Sequence, residues 1–425
     1  MSESIVPQPA TIQTPSRNDW MNGLFKKAIL KALSQLQWGR IVLVESLETH
    51  SLGSADVGPN VQLTVHNDRF YESVALRGSV GAGESYMAGD WTCSNLTELT
   101  RIFVRNYDVL NQVDSSWLNS LSREVLRLYH RMRSNTRSGS RKNIAAHYDL
   151  GNDFYSLFLD ETMTYSAGLF ATPESTLKEA SVAKLDRICK KLDLRPSDHL
   201  LEIGTGWGSF ALHAARHYGC RVTTTTISGE QYAYAKTLIE KEGLTDQVNL
   251  LLSDYRDLNG QFDKIASIEM IEAVGWRYYR TFMKKCCDLL ASDGLLAMQA
   301  ITIQDQYYDS ARKSVDFIQR YIFPGCCIPS TTALIDAATS ASQLKLSHFE
   351  DMTPHYARTL ATWRERFLAR QEDVRALGFG DEFIRMWEFY LCYCEGGFTE
   401  RHIGSVQMLF AKRDNRRAPI LAPIQ

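Results

Sequence analysis

An apolar run that breaks into three alternating glycines, Leu200-Leu201-Glu202-Ile203-Gly204-Thr205-Gly206-Trp207-Gly208, constrains this chain more than any other stretch of it. The run reads as a buried strand and the glycines as a tight turn that opens a helix. Without Cβ atoms, such a turn lets the backbone approach a ligand closely, and ligands in open α/β sheets sit beyond the carboxyl ends of the strands. Downstream, strand and helix patterns alternate: Arg221 to Thr226, a helix from Glu230 to Lys241, Val248 to Leu252, Phe262 to Ile268, a helix near Arg277 to Leu290, then Gly294 to Ile303. This alternation predicts an α/β fold with a parallel, doubly wound sheet.

A three-glycine turn does not name its ligand, so the surrounding residues must. The spacing is G-x-G-x-G, which differs from the G-x-G-x-x-G dinucleotide fingerprint. The turn carries no Lys or Arg to neutralise a phosphate, and Asp254-Tyr255 after the third strand offers a polar group and an aromatic face for an adenine. Both features point to S-adenosylmethionine, a sulfonium cofactor without phosphate, and hence to a Rossmann-like methyltransferase sheet. One usual element is missing: the second strand ends in Thr226-Ile227-Ser228 instead of an acid that would hold the ribose hydroxyls. Thr226 and Gln231 are the available substitutes.

The residues ahead of this sheet are organised differently. From Trp20 to Leu36, Met21, Leu24, Phe25, Ala28, Ile29, Ala32, Leu33 and Leu36 recur at helical spacing opposite Lys26, Lys27, Lys31 and Gln35. That pattern suits a helix lying in a membrane interface or one packed on its own domain. Short β-like runs follow, Ile41 to Val44, Val61 to Val65 and Ser73 to Leu76, so a small α+β unit precedes the sheet. Arg123, Arg127, Arg131, Arg133, Arg137, Arg141 and Lys142 then face a single acid, Glu124, in a helix running into a linker. Anionic headgroups would attract such a stretch by about 1 kcal/mol per basic residue, although a solvated linker has the same composition. Residues Met1 to Asn18, mostly polar with Pro7, Pro9 and Pro15, read as a disordered tail without the features of a secretory signal.

At 425 residues the chain is long enough for two or three domains. No apolar run approaches the ~18 residues of a spanning helix. The 47 basic and 49 acidic residues leave a formal charge of only -2, which argues for no partner by itself. A nucleic-acid role has only the Arg-rich stretch behind it and is set aside. The nine cysteines are scattered, and adjacent pairs at Cys286/Cys287 and Cys326/Cys327 have no metal-ligand spacing, so a reducing, cytoplasmic compartment and no metal are expected.

Five dispersed stretches then carry a resemblance: Gly78-Ser79-Val80-Gly81-Ala82-Gly83-Glu84-Ser85-Tyr86-Met87, His147 to Tyr155, Met163-Thr164-Tyr165-Ser166, Tyr321-Ile322-Phe323-Pro324-Gly325 and Cys394-Glu395-Gly396-Gly397-Phe398. In these the chain resembles the cyclopropane fatty acid and mycolic acid cyclopropane synthase family from Gly78 to Lys412. The resemblance implies a cofactor site of Tyr165, Ser166, Gly204, Gly206, Gly208, Thr226, Gln231, Tyr255 and Arg256. It also places Glu272 and Tyr356 where the family holds a bicarbonate ion that serves as the base. Cys394 matches a cysteine once regarded as a nucleophile, for which a packing or positioning role is expected because the reaction needs no thiol. The sequence departs from the family pattern at Ala167, which stands for Cys, at Gln299 for His and at Ala273 for His. Glutamine donates a hydrogen bond to an anion but carries no charge, so an altered bicarbonate site is expected with Gln299 in it.

The implied reaction is methyl transfer from S-adenosylmethionine to the cis double bond of an unsaturated acyl chain in a membrane phospholipid. An alkene is a weak nucleophile and must be held in line with the methyl, away from water. The resulting cation suits tyrosine faces, Tyr165 and Tyr356 being the candidates. A proton lost from the new methyl closes a cyclopropane; a different proton, or a hydride shift, gives a methyl or methylene branch. The competing readings are a methyltransferase for a soluble small molecule and a lipid-binding protein with an inactive transferase domain. The expected organisation is a tail over 1–19, a lipid- or membrane-associated α+β unit over 20–122, a basic helix and linker over 123–142, and a catalytic domain with acyl-binding insertions over 143–425. The enzyme is expected at the inner membrane face as a peripheral protein, with a homodimer left open.

Overall fold

A computed structural model of the chain describes residues 17–113 and 150–420. Of the expected tail over 1–19, residues 1–16 lie outside the described residues, as do the basic stretch 123–142 and His147-Tyr148-Asp149, while the tail's last three residues belong to the first helix, which starts at Arg17. Strands β1 (Arg40–Val44), β2 (Thr49–Gly53), β3 (Asn60–Val65) and β4 (Trp91–Cys93) form a small sheet in the order β2-β1-β3-β4. The helices Arg17–Leu33, Arg69–Met87 and Leu96–Arg105 accompany it, which gives the expected α+β unit. The first helix buries Phe25, Ile29 and Leu33 but leaves Met21 and Leu24 exposed beside Lys27 and Lys31.

The large sheet contains β5 (His199–Ile203), β6 (Arg221–Thr226), β7 (Val248–Leu252), β8 (Phe262–Ile268), β9 (Leu290–Ile303), β10 (Lys345–Asp351) and β11 (Ile403–Ala411). Their order is β10-β11-β9-β8-β5-β6-β7. Strands β5 to β9 are parallel as expected, with helices Ser209–Tyr218, Gly229–Lys241 and Tyr279–Leu289 as crossovers. The threonines of β6 are buried, yet each finds a partner: Thr223 meets His199 at 2.9 Å, Thr224 meets Thr205 at 2.7 Å, and Thr225 donates to the Ser253 carbonyl at 2.6 Å. A polar strand can therefore lie in the middle of the domain without the cost of unmade hydrogen bonds.

Two expectations are corrected. The sheet is not wholly parallel, because β11 runs antiparallel to both β9 and β10. The chain leaves β10 at Asp351, passes through helices Thr353–Ala369, Gln371–Ala376 and Asp381–Thr399, and re-enters at Ile403 opposite Ile303, the last residue of β9. A strand that re-enters at the end where the chain left must run the other way. The run Ser73 to Leu76 is no strand but part of the Arg69–Met87 helix. A four-residue apolar run does not distinguish the two periods, and packing against the first helix decides.

That helix is bent at Gly78 (φ 53°, ψ -128°), so that its second half follows the Asp381–Thr399 helix. Gly83 allows the close approach: a Cβ there would stand 2.2 Å from the ring of buried Phe317. One apolar cluster accordingly runs from Phe25 and Leu63 through Ile102 to Phe154, Trp363 and Trp387. The N-terminal unit shares its core with the helices that roof the large sheet.

Candidate active site

A cavity of about 1330 Å³ opens beyond the carboxyl ends of β5, β6 and β8 and runs beneath the Asp381–Thr399 helix into the N-terminal unit. It exceeds the roughly 300 to 1,000 Å³ of a typical small-molecule pocket, so there is room for a nucleoside and a second, long ligand.

At one end lies the glycine turn. Gly204 and Gly206 have φ of 102° and 54°, and a Cβ on Gly206 would meet nothing within 4 Å, so the backbone there borders open space. Gly208, at φ 95°, starts the Ser209–Tyr218 helix and packs on Ala235. Thr226, at the end of β6, donates to Gln231 Oε1 at 2.9 Å, and both side chains are buried at the cavity wall. The proposed substitutes for the missing acid are thus adjacent. Tyr255 is buried against Phe282, and the Asp254 carboxylate is held by Arg256 through Nε at 2.8 Å and Nη2 at 2.6 Å. Tyr255, Asp254 and Arg256 are thus held in place at the cavity wall. At the cavity wall, the hydroxyl of Tyr255 and Oε2 of Glu272 are among the described buried polar atoms without a hydrogen-bond partner. These open glycines and ready polar groups fit S-adenosylmethionine, whose sulfonium would supply the methyl.

The segment Met163 to Gly168 links this end to the other. Tyr165 hydrogen-bonds Tyr390 at 2.9 Å and lies within 5.1 Å of Trp363 and 6.2 Å of Phe323, ring to ring. Ser166 accepts from the ammonium of Lys184 at 2.7 Å. Lys184 is buried; burial lowers its pKa to about 8, against the opposing pull of Glu269, Asp160 and Glu202. Beside it Glu202 on β5 accepts from Thr224, and burial raises its pKa to about 8.

The predicted group Glu272, Tyr356 and Gln299 does come to one place, but its centre is a residue the sequence reading missed. Glu269 follows β8 directly and accepts from Ala167 N at 2.9 Å, Gln299 Nε2 at 2.8 Å and Tyr356 Oη at 2.8 Å. Tyr356 and Gln299 therefore bind Glu269 and not Glu272, whose Oε1 instead accepts from the backbone N–H of Ile301. Burial raises the pKa of Glu269, an effect partly offset by its three donors and Lys184. Burial and then the charge of Glu269 raise Glu272 to about 8. An acid placed immediately after an apolar strand that precedes a ligand-side loop was the available signal for Glu269.

Tyr356 also packs on Phe398 at 4.3 Å, which brings the Cys394 to Phe398 stretch to the site. Cys394 lines the cavity, and burial pushes its thiol well above the usual range, so it stays protonated and poorly nucleophilic. Asn152 accepts from the Trp207 indole at 2.6 Å, joining the second resemblance stretch to the glycine turn.

Residues 135–408 match the family described as mycolic acid cyclopropane synthetase. Tuberculostearic acid methyltransferase UfaA1 of Mycobacterium tuberculosis is 38% identical over 353 residues, covering 81% of this chain and 82% of that protein. Cyclopropane-fatty-acyl-phospholipid synthase of Escherichia coli is 36% identical over 353 residues, covering 82% of this chain and 87% of the relative. The solved mycolic acid cyclopropane synthase CmaA1, complexed with SAH and CTAB, superposes with a TM-score of 0.60 at 30% identity, over 64% of this chain and 98% of its own. With its seven-stranded sheet, its glycine turn and this extent of likeness, the chain belongs to the mycolic acid cyclopropane synthetase family of S-adenosylmethionine-dependent lipid methyltransferases.

Proposed function

We propose that the protein transfers a methyl group from S-adenosylmethionine to the cis double bond of an unsaturated acyl chain of a membrane phospholipid, and that the product is a cyclopropane. One observation carries this reading: a buried carboxylate, Glu269, stands at the cofactor end of a long apolar cavity, with Met270 next to it lying against Gly204. A base at that end reaches the methyl that has just arrived, and the proton removed from that methyl is the one whose loss closes a ring. Tyr165, Tyr356 and Phe323, which line the cavity, supply ring faces and edges for the cationic acyl carbon and keep water away from it, with Trp363 packed behind the two tyrosines. Glu272 and Gln299 act by holding the site in shape, and Cys394 by packing.

Phospholipid as the acceptor is supported by the basic residues Arg77, Arg312 and exposed Lys313 among those that line the cavity. No helix among the described residues is long and apolar enough to cross a membrane. Exposed Met21 and Leu24 beside Lys27 and Lys31 would let the first helix rest on an anionic bilayer as a peripheral contact. A methyl- or methylene-branched product is the second reading, favoured by the likeness to tuberculostearic acid methyltransferase UfaA1.

The test is incubation of the purified protein with vesicles of cis-unsaturated phosphatidylglycerol and methyl-labelled S-adenosylmethionine, followed by mass analysis of the fatty acids. A gain of CH2 with a ring located by fragmentation supports the proposal. The same gain with a retained double bond establishes the branched product, and absence of label from lipid refutes the acyl reading.

A further inference from the structure

We propose that Glu269 is itself the proton acceptor of the reaction, in place of a bicarbonate ion. The inference rests on the acyl methyltransferase reading above and concerns how its last proton leaves. An anion bound near Glu272 would need hydrogen-bond donors. The Ala167 N–H, the Gln299 amide and the Tyr356 hydroxyl are all directed to the two oxygens of Glu269, and the Ile301 N–H is taken by Glu272 itself. Gln299 has no further donor to spare, since its Nε2 also reaches the Ala167 carbonyl at 3.3 Å and its Oε1 accepts from Gln407 at 3.0 Å. A free anion there would also stand against the Glu269 carboxylate and beside the buried acid of Glu272, with Lys184 as the nearby cation already drawn towards Glu269 and Asp160. Adding a second full negative charge to that buried enclosure, beside Glu269, is unfavourable.

The backbone supplies independent support. Glu269 has φ 49°, a left-handed conformation that costs an ordinary residue about 1 kcal/mol and that glycine adopts freely. A glutamate kept in a conformation suited to glycine, with its side chain lining the cavity, is consistent with a side chain that is used.

The step balances as follows. The π pair of the acyl double bond forms the bond to the methyl carbon while the carbon–sulfur pair stays on sulfur, giving S-adenosylhomocysteine and a cationic acyl carbon. Glu269 takes a proton from the new methyl, and the freed C–H pair closes the three-membered ring onto the cationic carbon. The neutral carboxylic acid then returns its proton to water after product release.

The experiment compares the parent with Glu269→Gln and Glu269→Ala. Labelled bicarbonate is followed by 13C NMR in the presence of S-adenosylhomocysteine, cofactor affinity by calorimetry, and turnover in buffer purged of carbon dioxide. We expect parent turnover to change less than twofold on adding bicarbonate and its complex to leave the bicarbonate line unbroadened. Both variants should bind S-adenosylhomocysteine within threefold of the parent but lose at least 100-fold in turnover. Glu269→Ala, with space and freed donors, should bind bicarbonate and regain at least tenfold. Parent turnover that requires bicarbonate, or a Glu269→Gln variant as active as the parent, would overturn the assignment. Absence of acyl labelling by the parent would instead strike the function proposed above, so the two failures are distinguishable.

Discussion

Replacing Gly206 by alanine separates the glycine turn's service to the fold from its service to the cofactor. With φ 54° the residue lies in the left-handed region, and the added Cβ would meet no protein atom within 4 Å. The fold should therefore lose only about 1 kcal/mol, the left-handed penalty of an L-residue less the entropy that alanine removes from the unfolded chain. The methyl instead projects into the space the cofactor would fill. Expulsion of the ligand by even part of a methyl's radius should weaken S-adenosylhomocysteine by at least 100-fold, or about 2.7 kcal/mol. Denaturant unfolding with and without the ligand reads both effects. At a concentration 100 times the parent's Kd, the parent gains about 2.7 kcal/mol of stability, whereas a variant bound 100-fold more weakly gains only about 0.4 kcal/mol. Gly208→Ala is the contrasting control, because φ 95° and a 3.3 Å approach to Ala235 should lower the stability of the apo protein more. A Gly206→Ala protein that S-adenosylhomocysteine stabilises as fully as the parent would show that the cofactor does not sit against this turn.

Three further outcomes are expected. Cys394→Ala should keep lipid methylation within about threefold of the parent, since a protonated, half-buried thiol at the cavity wall contributes packing alone; a loss above 100-fold with normal cofactor binding would restore a chemical role. Gly83→Ala should destabilise by roughly 1 to 3 kcal/mol, because Phe317 is fully buried between Phe389 and Tyr321 at 4.6 and 5.2 Å and cannot retreat; Phe317→Leu in the same chain should recover part of the loss. Burial alone would raise Glu350, but Arg187 and Lys191 pull it down to about 2 from 4.5, so the stability it contributes is complete above about pH 4.5 and fades as pH falls towards 2; pH-dependent unfolding of Glu350→Gln should lack that slope.

Much of the molecule was legible in the chain because the signals are local. Strands β5 to β9 follow from short apolar or β-branched runs between helical stretches, and the turn at Gly204 to Gly208 from glycines that the backbone conformation requires. The cofactor-side pairs were legible too, as Thr226 and Gln231 lie five residues apart around one strand end. The helix over Ser73 to Leu76 was not, because a four-residue run spans barely one helical turn and its partner is another helix. The direction of β11 depends on where the chain re-enters the sheet after the long Thr353 to Thr399 excursion, which no residue pattern inside β11 records.

The same division holds at the site. Glycine spacing, the acid-free second strand and five dispersed motifs determined from sequence the sheet, the donor and the family, since each depends on residues near one another in the chain. Glu272, Tyr356 and Gln299 were recognised as one group, but their arrangement around Glu269 was decided by tertiary structure alone. Gln299 on β9, Tyr356 on the Thr353–Ala369 helix and Ala167 on the loop before Leu177–Leu192 are far apart in sequence, and only folding directs their donors to a single buried carboxylate. A buried acid must find such partners, so the packing around Glu269, more than any motif, fixes where a proton can be taken.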